Sequence, residues 1–213
     1  MAELRLRISM SLDGYVAGPN QSVSAPLGEG GEALHEWALA LEAWRATHGR
    51  DGGEVNASTA VMEGSLEGIG ATIMGRRMFG GGPGPWAEPA WEGWWGDEPP
   101  FGHPVFVLTH HARPPLVKGS TTFTFVTDGI EAALDAARAA AGGGDVALSG
   151  GADVVNQYLA AGLVDELLIS VAPVLLGDGE RLFANGAGAG TGLEQVEAVE
   201  APGVTHLLYR ARR

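Results

Sequence analysis

The chain has no cysteine, which excludes a disulfide framework and any thiolate-ligated metal site. It has one lysine, Lys118, and only 13 Lys and Arg against 26 Asp and Glu, a formal net charge of −13. A field of that sign repels phosphodiester backbones and anionic lipid, so neither nucleic acid nor membrane is an expected partner. An anionic small molecule would need arginine placed locally. No uninterrupted apolar run approaches the length of a bilayer span, and the opening MAELRLRISMSLDG lacks an apolar leader with a cleavage site. A cytoplasmic protein is the expectation. With 213 residues, 45% of them hydrophobic, and no internal repeat or clear linker, the chain is expected to form a single domain over 1–213.

What is present is organised around residues 145–173, DVALSGGADVVNQYLAAGLVDELLISVAP. An apolar run meets Gly150 and Gly151, and a periodic segment carrying Val154, Val155, Tyr158 and Leu159 follows, which reads as strand, tight turn, helix, strand. Paired glycines at such a turn allow close approach to the backbone, and the free N–H groups of the helix's first turn favour an anion. They equally serve to close a turn, and both readings stand at this point. ATIMGRRMFGGGPGPW repeats the design, with Ile73 and Met74 as strand, Gly75 as turn and a helical turn over Arg76–Phe79. Arg76 and Arg77 are either phosphate ligands or surface charges balancing nearby acids.

Elsewhere, residues 3–10 alternate as a half-buried strand and run into SLDGYVAGPN, a loop whose only carboxylate is Asp13. Residues 32–47 space Leu34, Trp37, Ala38, Leu41 and Trp44 as one amphipathic helix, with Glu32, His35, Glu36 and Glu42 on its solvated face. A weaker helix capped by Asn56 or Ser58 follows. Residues 80–101 hold four of the six tryptophans among glycines and prolines, an ordered loop that covers the core, forms an interface or walls a pocket for a flat substrate. Val105–Thr109 reads as a strand ending in His110 and His111, which would point to opposite faces and make poor joint metal ligands, so no metal site is expected. A strand over 121–126 precedes a helix for which Asp128 and Glu131 spell a capping box. The chain closes on a strand, Val164–Val171, and two runs, LEQVEAVE and THLLYRA, that read as a hairpin. The alternation implies a three-layer α/β fold, with a mixed, mostly parallel sheet, flanking helices and a C-terminal antiparallel hairpin.

In that order, SLDGYVAG, MGRRMF, VFVLTHH, TFTFV, SGGADVVNQYL and VDELLISVAPVLLGDGERLF resemble the dihydrofolate-reductase-like superfamily, in particular the C-terminal reductase domain of bifunctional riboflavin-biosynthesis deaminase-reductases. The resemblance implies NADPH as cofactor and hydride transfer from its nicotinamide to a C=N or C=O bond of a pterin-like or pyrimidine-like substrate. It places Gly150, Gly151 and Ala152 on the pyrophosphate, with Val154 and Val155 nearby. Gly75, Arg76, Arg77 and Met78 would hold the other phosphates, and Thr109 and His110 would flank the adenosine 2′-phosphate. Asp13 is the candidate to orient substrate or a proton-delivering water, with Glu36 behind it. The resemblance also implies a homodimer. The zinc motif of the fused deaminase is missing, and the acid that holds the pterin in dihydrofolate reductases has no clear counterpart. A flavin- or deazaflavin-binding oxidoreductase and a non-catalytic dimeric nucleotide-binding protein are the alternatives.

Overall fold

The computed structural model describes residues 2–212. β1 (Leu4–Ser11) sends Leu4, Leu6 and Ile8 to one face of the sheet, where they join the main core, and Arg5, Arg7 and Ser9 to the other. β2 (Tyr15–Ala17) follows the Asp13–Gly14 turn. The single helix expected over 32–47 is three pieces: a 3-10 turn at Gly31–Leu34, α1 (Glu36–Leu39) and α2 (Glu42–Thr47). A tertiary bridge breaks it. Glu54 N–H donates to Ala40 O at 2.8 Å and Glu42 N–H donates to Glu54 O at 2.9 Å, claiming backbone groups that a continuous helix would use. His35, expected in solvent, is half-buried; desolvation lowers its pKa, and its Nδ1 has no hydrogen-bond partner.

α3 (Ala57–Leu66) starts at Asn56, whose side chain accepts from Ser58 N–H while the Thr59 hydroxyl accepts from Asn56 N–H. Such caps are worth about 1 kcal/mol. Then come β3 (Ile69–Gly75), α4 (Arg76–Phe79), β4 (Val105–Leu108), β5 (Leu116–Lys118), β6 (Thr121–Val126) and α5 (Gly129–Ala140). β7 (Asp145–Leu148), α6 (Ala152–Ala160), β8 (Glu166–Ala172), β9 (Glu180–Arg181), β10 (Leu193–Ala201) and β11 (Val204–Ala211) complete the chain. Two local expectations change. Asp128 precedes α5 without a side-chain capping bond, and β4 stops at Leu108, leaving Thr109, His110 and His111 in the turn beyond it.

The nine-stranded sheet has the order β10-β11-β8-β1-β7-β3-β4-β6-β5. The strands from β8 to β6 are mutually parallel, whereas β5 and the β10–β11 hairpin pair antiparallel at the two edges. One face packs Leu6, Ile73, Phe106, Leu148 and Ile169 against α5 and α6. Ala133, Leu134 and Ala137 of α5 and Val155, Tyr158 and Leu159 of α6 are buried at helical spacing.

The other face has two unlike covers. Over β3, β4 and β6, the tryptophan loop lays Trp86, Trp91 and Trp95 on Phe79 and Phe123. Over β1, β8 and β11, the contacts are polar: His206 shares hydrogen bonds with Ser58 and Ser170, each 2.8 Å, and Trp37 Nε1–H donates to Ser9. The parallel strands all end on the same side of the sheet, and their C-terminal ends frame the site.

Candidate functional site

β3 and β7 are neighbours, so the two glycine turns that follow them meet. Gly75 N–H donates to Gly150 O at 2.6 Å. A Cβ on Gly75 would lie 2.7 Å from Val154 Cγ2, so this glycine lets α6 pack against the end of β3. Gly150 has φ +117, in the region that favours glycine, and the Gly150–Gly151 peptide is cis. A Cβ on Gly151 would meet nothing within 4 Å. Gly151 O accepts from Val155 N–H and opens α6. The N–H groups of Ala152, Asp153 and Val154 therefore face outward at the positive end of a nine-residue helix.

These turns open onto a groove of about 930 Å³. It brings together Gly75, Arg76, Arg77, Thr109, His110, Gly151 and Val154 of the expected site. Arg76 lays its guanidinium on the Trp86 ring, 3.4 Å from the centroid, with Arg113 on the same ring at 4.7 Å. Desolvation and the Arg113 charge lower its pKa, and Arg76 Nε is buried with no hydrogen-bond partner. Arg77 is mostly exposed and pairs with Glu180 of β9. The Thr109 hydroxyl accepts from His111 N–H and shapes the turn after β4.

The other expected residues lie around the groove rather than on it. Met78, within α4, packs against the Met74 and Phe79 cluster, its sulfur 3.8 Å from where a Gly150 Cβ would stand, and its carbonyl accepts from Trp94. The side chains of Ala152 and Val155 belong to the core. Only the backbone of Ala152 is presented at the helix start. Asp13 is outside the groove lining. Its carboxylate accepts from Ser11 Oγ at 2.6 Å, Gly177 N–H at 2.7 Å and Leu176 N–H at 3.1 Å, tying the turn after β1 to the loop after β8. The Ser11 bond, with those from the two backbone amides, holds its pKa at about 2, so at neutral pH it is an ionised hydrogen-bond acceptor, neither a proton donor nor an effective base. Glu36 is exposed on α1.

The SLDGYVAGPN loop, expected near the mouth of any site at the end of β1, contributes Gly18, Pro19 and Asn20 to the lining, and the 80–101 loop contributes its 80–84 glycine run; residues 21–23 and, opposite, Asp178 and the β9 residue Glu180 were not anticipated. Irregular loops carry no periodicity that would assign them to a site. Asp153 and Gln157 were findable, because at i, i+4 spacing they share the α6 face opposite the buried residues. Trp94 alone of the loop tryptophans lines the groove; the other three cover the sheet. Among the described residues, no three His, Asp or Glu side chains cluster to hold a metal, and no helix is long and apolar enough to cross a membrane.

Residues 2–206 match the RibD C-terminal domain family. The chain belongs to that family. Comparison with solved structures agrees on the fold. A protein assigned to riboflavin biosynthesis in Shewanella sp. PV-4 superposes with TM-score 0.65 at 20% identity, covering 100% of both chains. Dihydrofolate reductase from Enterococcus faecalis, solved with NADP(H) and RAB-propyl, gives 0.52 at 13%, covering 99% of this chain and 97% of that one. A pyrimidine reductase-like protein from Corynebacterium diphtheriae gives 0.54 at 15%, covering 100% and 92%. No curated protein matches the chain. The mixed sheet with its flanking helices is thus a dihydrofolate-reductase-like fold, here in a RibD C-terminal domain.

Proposed function

We propose that this RibD C-terminal domain is an NADPH-dependent reductase acting on a pyrimidine-like heterocycle. The observation that carries the reading is the continuity of the groove: Gly75–Arg76, the Thr109 turn and Gly151 with the α6 start, each at the end of a different parallel strand, line one cleft. Two features of the residues fit a dinucleotide phosphate. The backbone at Gly151 is open to close approach, and Arg76 Nε is a buried donor lacking an acceptor. The N–H groups of Ala152, Asp153 and Val154 would hold the pyrophosphate, and Arg76 with the Thr109–His110 turn would hold the remaining phosphate. When bound, NADPH supplies a hydride from its nicotinamide.

The chain's own contribution is binding and exclusion of water. Trp94 and the 18–23 loop wall the cleft where a flat ring would lie, and Asp13 fixes the turn at the end of β1 as a carboxylate. The fold relatives include proteins named for dihydrofolate and pyrimidine reduction, which supports reduction of a C=N or C=O bond in a related ring. The same reading includes a homodimer, for which the edge strand β10, exposed along most of its length with Leu193 and Val196 outward, offers a surface.

The test is to incubate the purified protein with NADPH and a panel of aminopyrimidines, ribosylated pyrimidines and pterins, following loss of reduced-nicotinamide absorbance. Turnover of a pyrimidine is expected. Nucleotide binding with no oxidation by any of them would favour the non-catalytic alternative, and flavin absorbance in the purified protein would favour a flavin. A light-scattering mass equal to one chain would reject the dimer.

A further inference from the structure

On the sheet face away from α5 and α6, a second cavity of about 260 Å³ lies between α3 and strands β1, β8, β10 and β11. None of the residues lining it lines the groove. Two arginines of β1 reach it, and their situations differ. Arg5 is saturated: its Nε donates to Glu166 at 3.0 Å, its other nitrogens donate to the carbonyls of Glu67 and Gly64, and Asp145 stands 3.6 Å away. Arg7 is half-buried and makes one hydrogen bond, from Nη1 to Ser65 Oγ at 3.0 Å. No carboxylate pairs with it among the described residues.

The other donors of Arg7 are unused within the protein and open into the cavity, where an anion can take them in place of water. Burial and the neighbouring Arg5 charge both push the Arg7 pKa down, as expected of a cation short of an anion. The acids near the cavity do not meet the need. Glu166 is engaged by Arg5 and Arg210, and Glu197 is an exposed residue on β10. Their negative charge also disfavours a dianion such as phosphate. Apart from His206, whose ring nitrogens are taken by Ser58 and Ser170, the remaining walls are apolar, chiefly Val61, Leu168, Val199 and Leu208.

We propose that this cavity binds a small organic monocarboxylate, its carboxylate on the Arg7 guanidinium, which Ser65 holds in place by accepting from Nη1 while donating to Met62 O, and its apolar body against those four side chains. A planar carboxylate can take two parallel N–H bonds from one guanidinium, which a neutral or apolar molecule cannot.

Benzoate is the probe, with benzamide as its neutral isostere and inorganic phosphate as the dianionic control, each titrated calorimetrically into the full chain. Saturable benzoate binding is expected, about tenfold or more tighter than benzamide, and weakened by at least about tenfold in Arg7→Met. Val61→Trp fills the cavity without touching the charge and should abolish binding while the melting temperature holds. Saturating NADPH should leave benzoate affinity unchanged, because the groove is elsewhere. The proposal falls if benzamide binds as well as benzoate, if phosphate displaces benzoate, or if a folded Arg7→Met or Val61→Trp protein binds benzoate normally. It also falls if benzoate and NADPH exclude one another, or if a dimer fills the cavity with a carboxylate of the second copy that benzoate cannot displace.

Discussion

The turns at Gly75 and at Gly150–Gly151 look alike in sequence, each a strand running through glycine into a helix, and a hydrogen bond joins them. Their glycines do different work. At Gly75 the absent Cβ makes room for Val154, a neighbour within the fold. At Gly151 the space a Cβ would take is empty and faces the groove. The first glycine is there for packing and the second for access. The arginines after Gly75 divide in the same way: Arg76 is half-buried on Trp86 with its buried Nε left over, whereas Arg77 is spent on Glu180.

Substitutions at both turns press on that contrast. Gly75→Ala should have the largest effect on stability, since overpacking of this kind costs about 1–3 kcal/mol. At this chain length that lowers the melting temperature by about 2–4 °C per kcal/mol. Adding Val154→Ala should restore most of the loss, and thermal denaturation of the single and double variants reads it directly. Gly151→Ala should do the converse, leaving the melting temperature near wild type while weakening NADPH by about tenfold or more, measured by calorimetry.

The arginine pair should split more modestly. Arg76→Met should weaken NADPH binding, whereas Arg77→Gln should cost less than about 1 kcal/mol of stability, because its ion pair is solvent-screened, and change cofactor affinity little. The smallest effect concerns Asp13. Its folded pKa of about 2 lies below the unfolded value of about 3.9. The stability it contributes is therefore complete above about pH 4 and lost as the pH falls through about 2. In Asp13→Asn, acid titration of unfolding should show a shallower loss across that window.

The glycine turns were legible in sequence because each is local: a few residues carry the strand, the break and the helix start. The strand alternation in 4–11 was legible for the same reason, but its consequence was not. Arg5 and Arg7 read as a solvent face, and only α3, packing from more than 50 residues along the chain, turns that face inward. The helix over 32–47 failed in a similar way, because Glu54 takes the backbone bonds that periodicity assigned to the helix. Ser58, Ser170 and His206 meet across as many as 148 positions, and no local pattern announces such a network. Around the groove, the expected strand-end residues come together, whereas most of the loop lining was not named residue by residue, because irregular loops carry no periodicity. The resemblance put Ala152 on the pyrophosphate and Val155 nearby, whereas the helical turn sends their side chains to the core.

The most direct measurement is titration of the wild-type chain and Gly151→Ala with NADPH, reading energy transfer from tryptophan to the reduced nicotinamide. Trp94 lines the groove, so a bound nicotinamide has a donor in the same cleft. Saturable transfer in the wild type, shifted to higher NADPH concentration in an equally stable Gly151→Ala, is the predicted result. A flat wild-type titration, or identical curves for the two proteins, would contradict the assignment of Gly151 and its groove to the cofactor.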